Sequence, residues 1–426
     1  MTLSKRSEHI AEHLFRTEYG KLIAAIVRIF GATHIQLAED MVQETMISAI
    51  SHWSVDGVPD NPGGWLMQVA RRKVLNELKR DKMRQRHDWE QATIQYSEQD
   101  VSDVFLEGEI EDNQLRMIFT CCHPDLNVEA QIVLTLKTLC GFGVKEVANA
   151  LLTTESTINK RLYRAKKSIR ESNASFDIPQ GIALKSRLET VCLTLYLLFN
   201  EGYNSSTSDT IIQKDLCLEA IRLTKLLVDR FEENKKVCAL LSLMCFHTAR
   251  FDARIDNKGA IVLFEDQDRK AWNKELIAVG MQYLKRSIHD KELSAYHIEA
   301  NIAAEHCMAA NFEATNWQHI HDLYTLLAKF KPNAIIQLNL AIINSKLEGI
   351  ESSLEMLEQL AEHDELRNYH LLPASQGIFC MKLGRYEQAI SYLDHAKSLG
   401  PSPTESKFIS EKILESQQAL GQDSRQ

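Results

Sequence analysis

An acidic stretch, Ala38-Glu39-Asp40-Met41-Val42-Gln43-Glu44-Thr45, sets carboxylates and an amide at helical spacing. Gln43, Glu44 and Ile47 stand three, four and seven residues after Asp40, so a helix presents all of them on one face. Such a face makes and breaks no bonds. It can steer and seat a basic partner, or it can be an ordinary solvated acidic surface. Two other stretches carry the opposite charge. Arg71-Arg72-Lys73 continues through Lys79-Arg80, Lys82, Arg84 and Arg86, and Glu155–Glu171 holds six bases against its two terminal acids. Between them, Gln91–Ala130 carries nine acids against Arg116 alone. The net charge of −9 excludes a general nucleic-acid coat, but two separated basic helices suit two contacts with a polyanion.

Chemistry of other kinds finds little support. Cys121-Cys122-His123 is the densest set of metal-type ligands, and adjacent cysteines lack the spacing of a zinc site. Glu201, Asp266 and Glu299, with His297 and His306, show no spacing that demands a metal or a nucleophile. No metal, no cofactor and no catalytic residue is expected, and the chain is read as a protein that is not an enzyme.

The elements that must position these residues are helical. Gly 17 and Pro 8 in 426 residues are low counts, which disfavours a many-turned β architecture and points to an all-α fold. Ile10–Phe30 repeats apolar residues at three- and four-residue steps, and Gln36–Trp53 forms a second helix. Trp53–Gly64 is the most turn-rich stretch, and Trp65 opens a basic helix to about Arg86. Asp88–Ile110 has little periodicity. Val144–Leu151 and Thr154–Arg170 then make a helix-turn-helix whose second helix buries Ile158, Leu162, Ala165 and Ile169. Its turn, Leu152-Thr153-Thr154, lacks the glycine common in such motifs. From Ile182 to Leu420 amphipathic helices succeed one another. Gly377, Ala389, Leu393, Ala396 and Pro401 fit a tetratricopeptide (TPR) spacing, echoed more weakly by Gly349, Leu357 and Leu360, with Ser353 at the small-residue position. No apolar run reaches the roughly 20 residues of a bilayer span. The nine cysteines are scattered like reduced core residues of a cytoplasmic protein.

The order of these parts resembles an RNA polymerase sigma factor of the extracytoplasmic-function (ECF) group, which keeps only regions 2 and 4. Phe119-Thr120-Cys121-Cys122-His123-Pro124, Phe199-Asn200-Glu201-Gly202-Tyr203, Leu263–Arg269 with Trp272, and His370–Ala374 resemble motifs of a subgroup with a long TPR-like extension. The resemblance implies region 2 over 1–90, an acidic linker over 91–110, region 4 over 111–172 and the helical extension over 180–426.

It also implies partners: core RNA polymerase, through its β′ clamp helices and β flap, and promoter DNA. Asp40, Gln43, Glu44 and Ile47 match the polymerase-binding helix. The −10 element would meet Trp53, Asp56, Asp60, Asn61 and Trp65, with Arg71, Arg72, Lys73, Lys79 and Arg80 along its phosphates. For the two tryptophans, packing at helix ends is an equal alternative. The family pattern Ala-Arg-Asn…Asp reads Ala70-Arg71-Arg72…Asn76 here, a departure that bears on base preference. The −35 groove would meet Glu155, Ser156, Thr157, Asn159 and Lys160. Arg161, Arg164 and Lys167 would hold phosphates; Arg161 and Arg164 have the alternative of pairing with acids of their own domain. The linker is either a negatively charged mimic of nucleic acid or a plain tether. Glu201, Tyr203, Asp266, Asp268, Arg269 and Trp272 are candidates for a polar network within the extension or for an intramolecular contact between it and the sigma regions. The extension is expected to regulate the factor. A helix-turn-helix regulator with a helical sensor domain is the alternative, and it leaves Asp40–Glu44 and Trp53–Gly64 without a role.

Overall fold

The computed structural model describes residues 3–85, 97–151, 153–172, 174–203, 214–256, 260–288 and 293–423. All regular structure among them is helical apart from one isolated β-bridge, Ile255 to Ile261. The chain forms two compact units that meet between Leu198 and Phe199.

The first unit opens with α1 (Leu3–Phe30), α2 (Ile35–Asp56) and α3 (Pro62–Gln85). Leu22, Ile23, Ile26, Ile35, Val42, Leu66 and Val74 are fully buried among them. Helix α2 runs three residues beyond the expected Trp53 and stops at Gly57, whose φ of 81° reverses the chain. Helix α3 starts three residues before Trp65. Pro62 suits a first helical position, where no amide is needed, and Asn61 Oδ1 accepts the Gly64 amide at 2.9 Å.

The stretch expected as a linker holds α4 (Glu98–Val104). Ser97 and Asp100 form a reciprocal capping box, and Val101 and Val104 are buried against α1 and α3. Residues 91–96 lie outside the described residues. Helices α5 (Glu107–Cys121), α6 (Val128–Thr138), α7 (Val144–Ala150) and α8 (Glu155–Glu171) follow. The expected stripe of α8 is buried at all four positions, Ile158, Leu162, Ala165 and Ile169. It packs on α6 and α7, and each large side chain so buried contributes roughly 1.5–3 kcal/mol. Thr154 begins the helix by accepting the Thr157 amide at 3.2 Å. Leu152 of the turn is outside the described residues. Helix α9 (Gly181–Tyr203) leads to the second unit.

That unit contains α10 (Lys214–Arg230), α11 (Lys235–Thr248), α12 (Lys274–Ser287), α13 (Ala295–Met308), α14 (Trp317–Phe330), α15 (Ala334–Asn344), α16 (Ile350–Leu360), α17 (Leu371–Lys382), α18 (Tyr386–Ser398) and α19 (Pro403–Asp423). Helix α11 is buried almost all round, from Val237 to Phe246, and lies against α10, α12 and α13. The TPR spacing has its expected physical cause. A Cβ on Gly377 would stand 2.7 Å from Leu393 Cγ and 3.2 Å from the Ala389 carbonyl, so only glycine lets α17 and α18 approach this closely.

Candidate functional site

Helix α2 is divided between two environments. Ala38, Met41, Val42, Thr45 and Ala49 are buried, whereas Asp40, Gln43, Glu44 and Ile47 are all exposed, as their spacing predicts. Ile47 at 62 % and Ile50 at 57 % add an apolar edge to the acidic face. Gln36 donates to Asp40 at 3.1 Å, and Glu44 takes the Lys73 ammonium at 3.0 Å. Lys73 is thus anchored to the acidic face as well as standing in the basic helix.

Beyond α2, Trp53 stacks on Phe15 with ring centroids 5.5 Å apart, and Trp65 meets Trp53 edge-on at 5.5 Å. The two tryptophans therefore take part in helix-end packing, the alternative weighed above. Asp56, Asp60 and Asn61 are exposed beside them. Along α3, Arg72, Lys79 and Arg80 are exposed. Arg71 is half-buried, and its Nε has no hydrogen-bond partner among the described residues. Arg80 has a loose contact with Glu77 at 3.4 Å.

On α8, Glu155, Ser156, Asn159, Lys160, Arg164 and Lys167 are exposed, while Thr157 is half-buried at the cap. Arg161 reaches Glu129 at 3.4 Å, the intradomain pairing named as its alternative. Lys167 lies 3.6 Å from Glu171 on its own helix. Tyr163, 66 % exposed, was missed in sequence reasoning. Its offset of four from both Asn159 and Lys167 places it on the outward face, where a phenol can hydrogen-bond a phosphate or touch a base.

Lys166 points the other way. Its ammonium meets Glu39 of α2 at 2.7 Å, and Glu39 is buried at 4 % side-chain exposure. Gln36 accepts a second hydrogen bond from Lys166 at 2.9 Å. Near this pair, Lys137 sits over the Tyr19 ring at 5.6 Å. Burial pushes the Tyr19 phenol up and Lys137 down. A Cβ on Gly20 would stand 2.0 Å from the Leu139 carbonyl oxygen. The helix-turn-helix and the first three helices are therefore packed together, with α8 beside the acidic helix.

Cys121 and Cys122 are buried. The Cys121 sulfur lies 3.1 Å from Thr138 Oγ1, and burial pushes the Cys122 thiol up to about 11. Among the described residues no group of three or more histidines, cysteines and acids is placed to hold a metal.

The extension motifs separate by direction. Asp266 and Asp268 face solvent, and Asp268 accepts the Lys270 amide at 2.9 Å. Glu265 reaches Lys382 at 2.6 Å and Lys346 at 3.5 Å; burial works against its charge, but the two lysines prevail and hold its carboxyl low. Arg269 and Trp272 turn inward. Arg269 donates to the carbonyls of His306 and Ala309, the latter at 2.8 Å, and to Thr315 at 3.2 Å. Tyr203 packs under Arg254, whose guanidinium carbon lies 3.9 Å from the ring centroid. Burial raises the Glu201 carboxyl. Tyr203, Arg269 and Trp272 lie in a network of arginines and rings, and the two aspartates are not among its members. His247, Arg250, Arg254 and His306 complete it and were missed. Their nearest signal was the helical spacing of His247, Arg250 and Arg254.

Comparison with known proteins accounts for this arrangement. Residues 14–84 match Sigma-70 region 2, and residues 116–169 match Sigma-70 region 4. The chain belongs to the ECF sigma factors. Residues 187–288 match a family of unknown function (DUF6596), within the C-terminal extension. An uncharacterized protein of Rhizobium meliloti (strain 1021) is 32 % identical over 389 residues, 91 % of each chain. The probable ECF RNA polymerase sigma factor SigI of Mycobacterium tuberculosis (strain H37Rv) is 25 % identical over 165 residues, 38 % of this chain and 56 % of that one. The ECF RNA polymerase sigma factor SigL of the same strain is 26 % identical over 136 residues, 31 % and 72 % of the two chains.

This sigma factor directs promoter-specific transcription, with core RNA polymerase and promoter DNA as its partners. Sigma factors are DNA-binding initiation factors and not enzymes. The region 2 match covers Asp40–Glu44 and Trp53–Gly64, the residues that the simple regulator reading leaves idle. No described helix is long and apolar enough to cross a membrane.

Proposed function

We propose that the outward face of α2, Asp40, Gln43 and Glu44 with Ile47 and Ile50, docks on the β′ clamp helices of core polymerase, while region 4 meets the β flap. The observation that supports this reading is the division of α2. Its inner residues are packed, and the outer ones offer carboxylates and two isoleucines to water. A surface that joins apolar contact to charge steering suits a basic partner helix. The −10 element is assigned to the Trp53–Gly64 segment and the exposed cations of α3. The −35 element is assigned to the first turns of α8, with Tyr163 added to the residues expected there.

The Lys166–Glu39 pair gives this reading a conformational side. While α8 lies beside α2, regions 2 and 4 move as one body, and reaching two promoter elements requires them to part. The C-terminal extension is the proposed regulator of that step.

Run-off transcription and core-polymerase binding test the assignment together. Asp40→Arg is expected to weaken core binding at least a hundredfold, because like charge against a basic helix costs several kcal/mol. Its circular dichroism should stay that of the parent, since Asp40 is exposed. Unchanged core affinity would overturn the docking assignment.

A further inference from the structure

In the second unit two half-buried arginines have no carboxylate partner among the described residues. Arg250 lies 4.2 Å above the Phe264 ring and 5.2 Å from that of Trp272. Its Nε and Nη2 both donate to one atom, Gln267 Oε1, at 3.3 and 3.1 Å. Arg254 gives Nη1 to the Tyr203 carbonyl at 3.0 Å. Nη1 of Arg250, and Nε and Nη2 of Arg254, have no hydrogen-bond partner among the described residues. Neither arginine has an ion pair among them.

Neighbouring acids are engaged elsewhere or face away. Glu265 holds Lys346 and Lys382, Asp252 holds Lys214, and Asp266 is exposed. The raised carboxyl of Glu201 reflects burial alone, with no arginine acting on it.

Next to these arginines stand buried polar atoms that lack partners. His247 packs 4.8 Å from Tyr203, and its Nδ1 is shielded from solvent and unpartnered among the described residues. The same holds for Nδ1 of His306, whose ring lies 4.6 Å from Phe264, and for Nε1 of Trp272. Burial, and after it Arg250, hold both imidazoles neutral, at about 3. An uncompensated buried cation costs several kcal/mol, and a forked donor pair is the geometry that takes up planar or tetrahedral oxyanions.

We propose that Arg250, Arg254 and His247 form a binding site for a small oxyanion, a phosphate or carboxylate group, in the C-terminal extension of this sigma factor. The free guanidinium N–H groups donate to its oxygens. Arg254, which is partly exposed, gives the ligand its way in, and Tyr203 walls one side. The inference concerns ligand binding and stands apart from polymerase and DNA contacts.

The test titrates the full chain with inorganic phosphate and, separately, malonate, at ionic strength held constant with sodium chloride. Intrinsic fluorescence of the five tryptophans, Trp272 among them, is recorded, and thermal unfolding is followed in parallel. At least one probe is expected to give a saturable signal and a rise in Tm. Arg254→Gln should weaken that affinity about tenfold or more, since a hydrogen bond to a charged group contributes roughly 1.5–3 kcal/mol. Arg250→Lys, which keeps the charge and loses the fork, should weaken it as well. Wild-type circular dichroism qualifies each variant. Phosphate-selective or malonate-selective saturation identifies the ligand class. The proposal is overturned if the wild type saturates with neither probe, or if Arg254→Gln responds as the wild type does.

Discussion

Lys166 of the first unit and the arginine pair of the second are inward-pointing cations treated in opposite ways. On α8 most bases face water; Arg161 leans on Glu129, and Lys166 turns inward to the buried carboxylate of Glu39 at 2.7 Å. In the extension, Arg250 and Arg254 also turn inward but meet rings, a glutamine and a carbonyl. A compensated charge closes a contact and specifies how two elements sit together. An uncompensated one leaves binding capacity, and this contrast separates a structural cation from one that awaits a ligand.

The largest effect is expected where the compensated pair is broken. Lys166→Met leaves Glu39 buried without its ammonium and should destabilise the first unit by about 3 kcal/mol. Pairing it with Glu39→Gln should restore most of that loss, which chemical denaturation of the single and double variants will show. A loss below about 1 kcal/mol in the single variant would remove Lys166 from the compensated class.

Acid sharpens the other side of the contrast. Free histidine titrates near 6.5, but His247 and His306 stay neutral in the fold to about 3. Above 6.5 neither state takes the proton and stability is unaffected by them. Below it the unfolded chain binds protons that the fold refuses, so stability falls as pH drops from 6.5 towards 3. Two such groups predict a loss of about 2 kcal/mol by pH 5.5. Denaturation series in His247→Gln and His306→Gln should each lose part of that pH dependence. A bound oxyanion should lessen it by making the protonated imidazoles welcome.

The smallest effect belongs to the outward bases. Lys160→Ala should leave stability within about 0.5 kcal/mol. It should lower the salt dependence of promoter-fragment binding by about one counterion. An unchanged salt slope would take Lys160 off the DNA-facing surface.

Much of the fold was legible where its signals are local. The buried stripe of α8 and the exposed set on α2 follow from helical spacing alone, and Gly377 marks the close approach of α17 and α18 without any knowledge of tertiary structure. The Ser97–Asp100 capping box was equally local, but Val101 and Val104 stand among acids with no apolar repeat, and a helix packs where a nucleic-acid mimic or a tether was expected. The Lys166–Glu39 pair joins residues 127 apart, and no periodicity announces such a meeting. The arginine and histidine cluster was hidden for a related reason. Helix α11 is apolar on nearly every side, so it has no stripe to tell which way His247 faces, and Arg250 and Arg254 follow after its end.

Gly20 has no atom to spare: where its side chain would begin, the Leu139 carbonyl already lies within 2.0 Å. Any larger residue at that position is a wedge driven between the region 2 helices and the region 4 helices. A one-methyl change could therefore act as a crowbar, turning position 20 into a genetic handle on how readily the molecule opens.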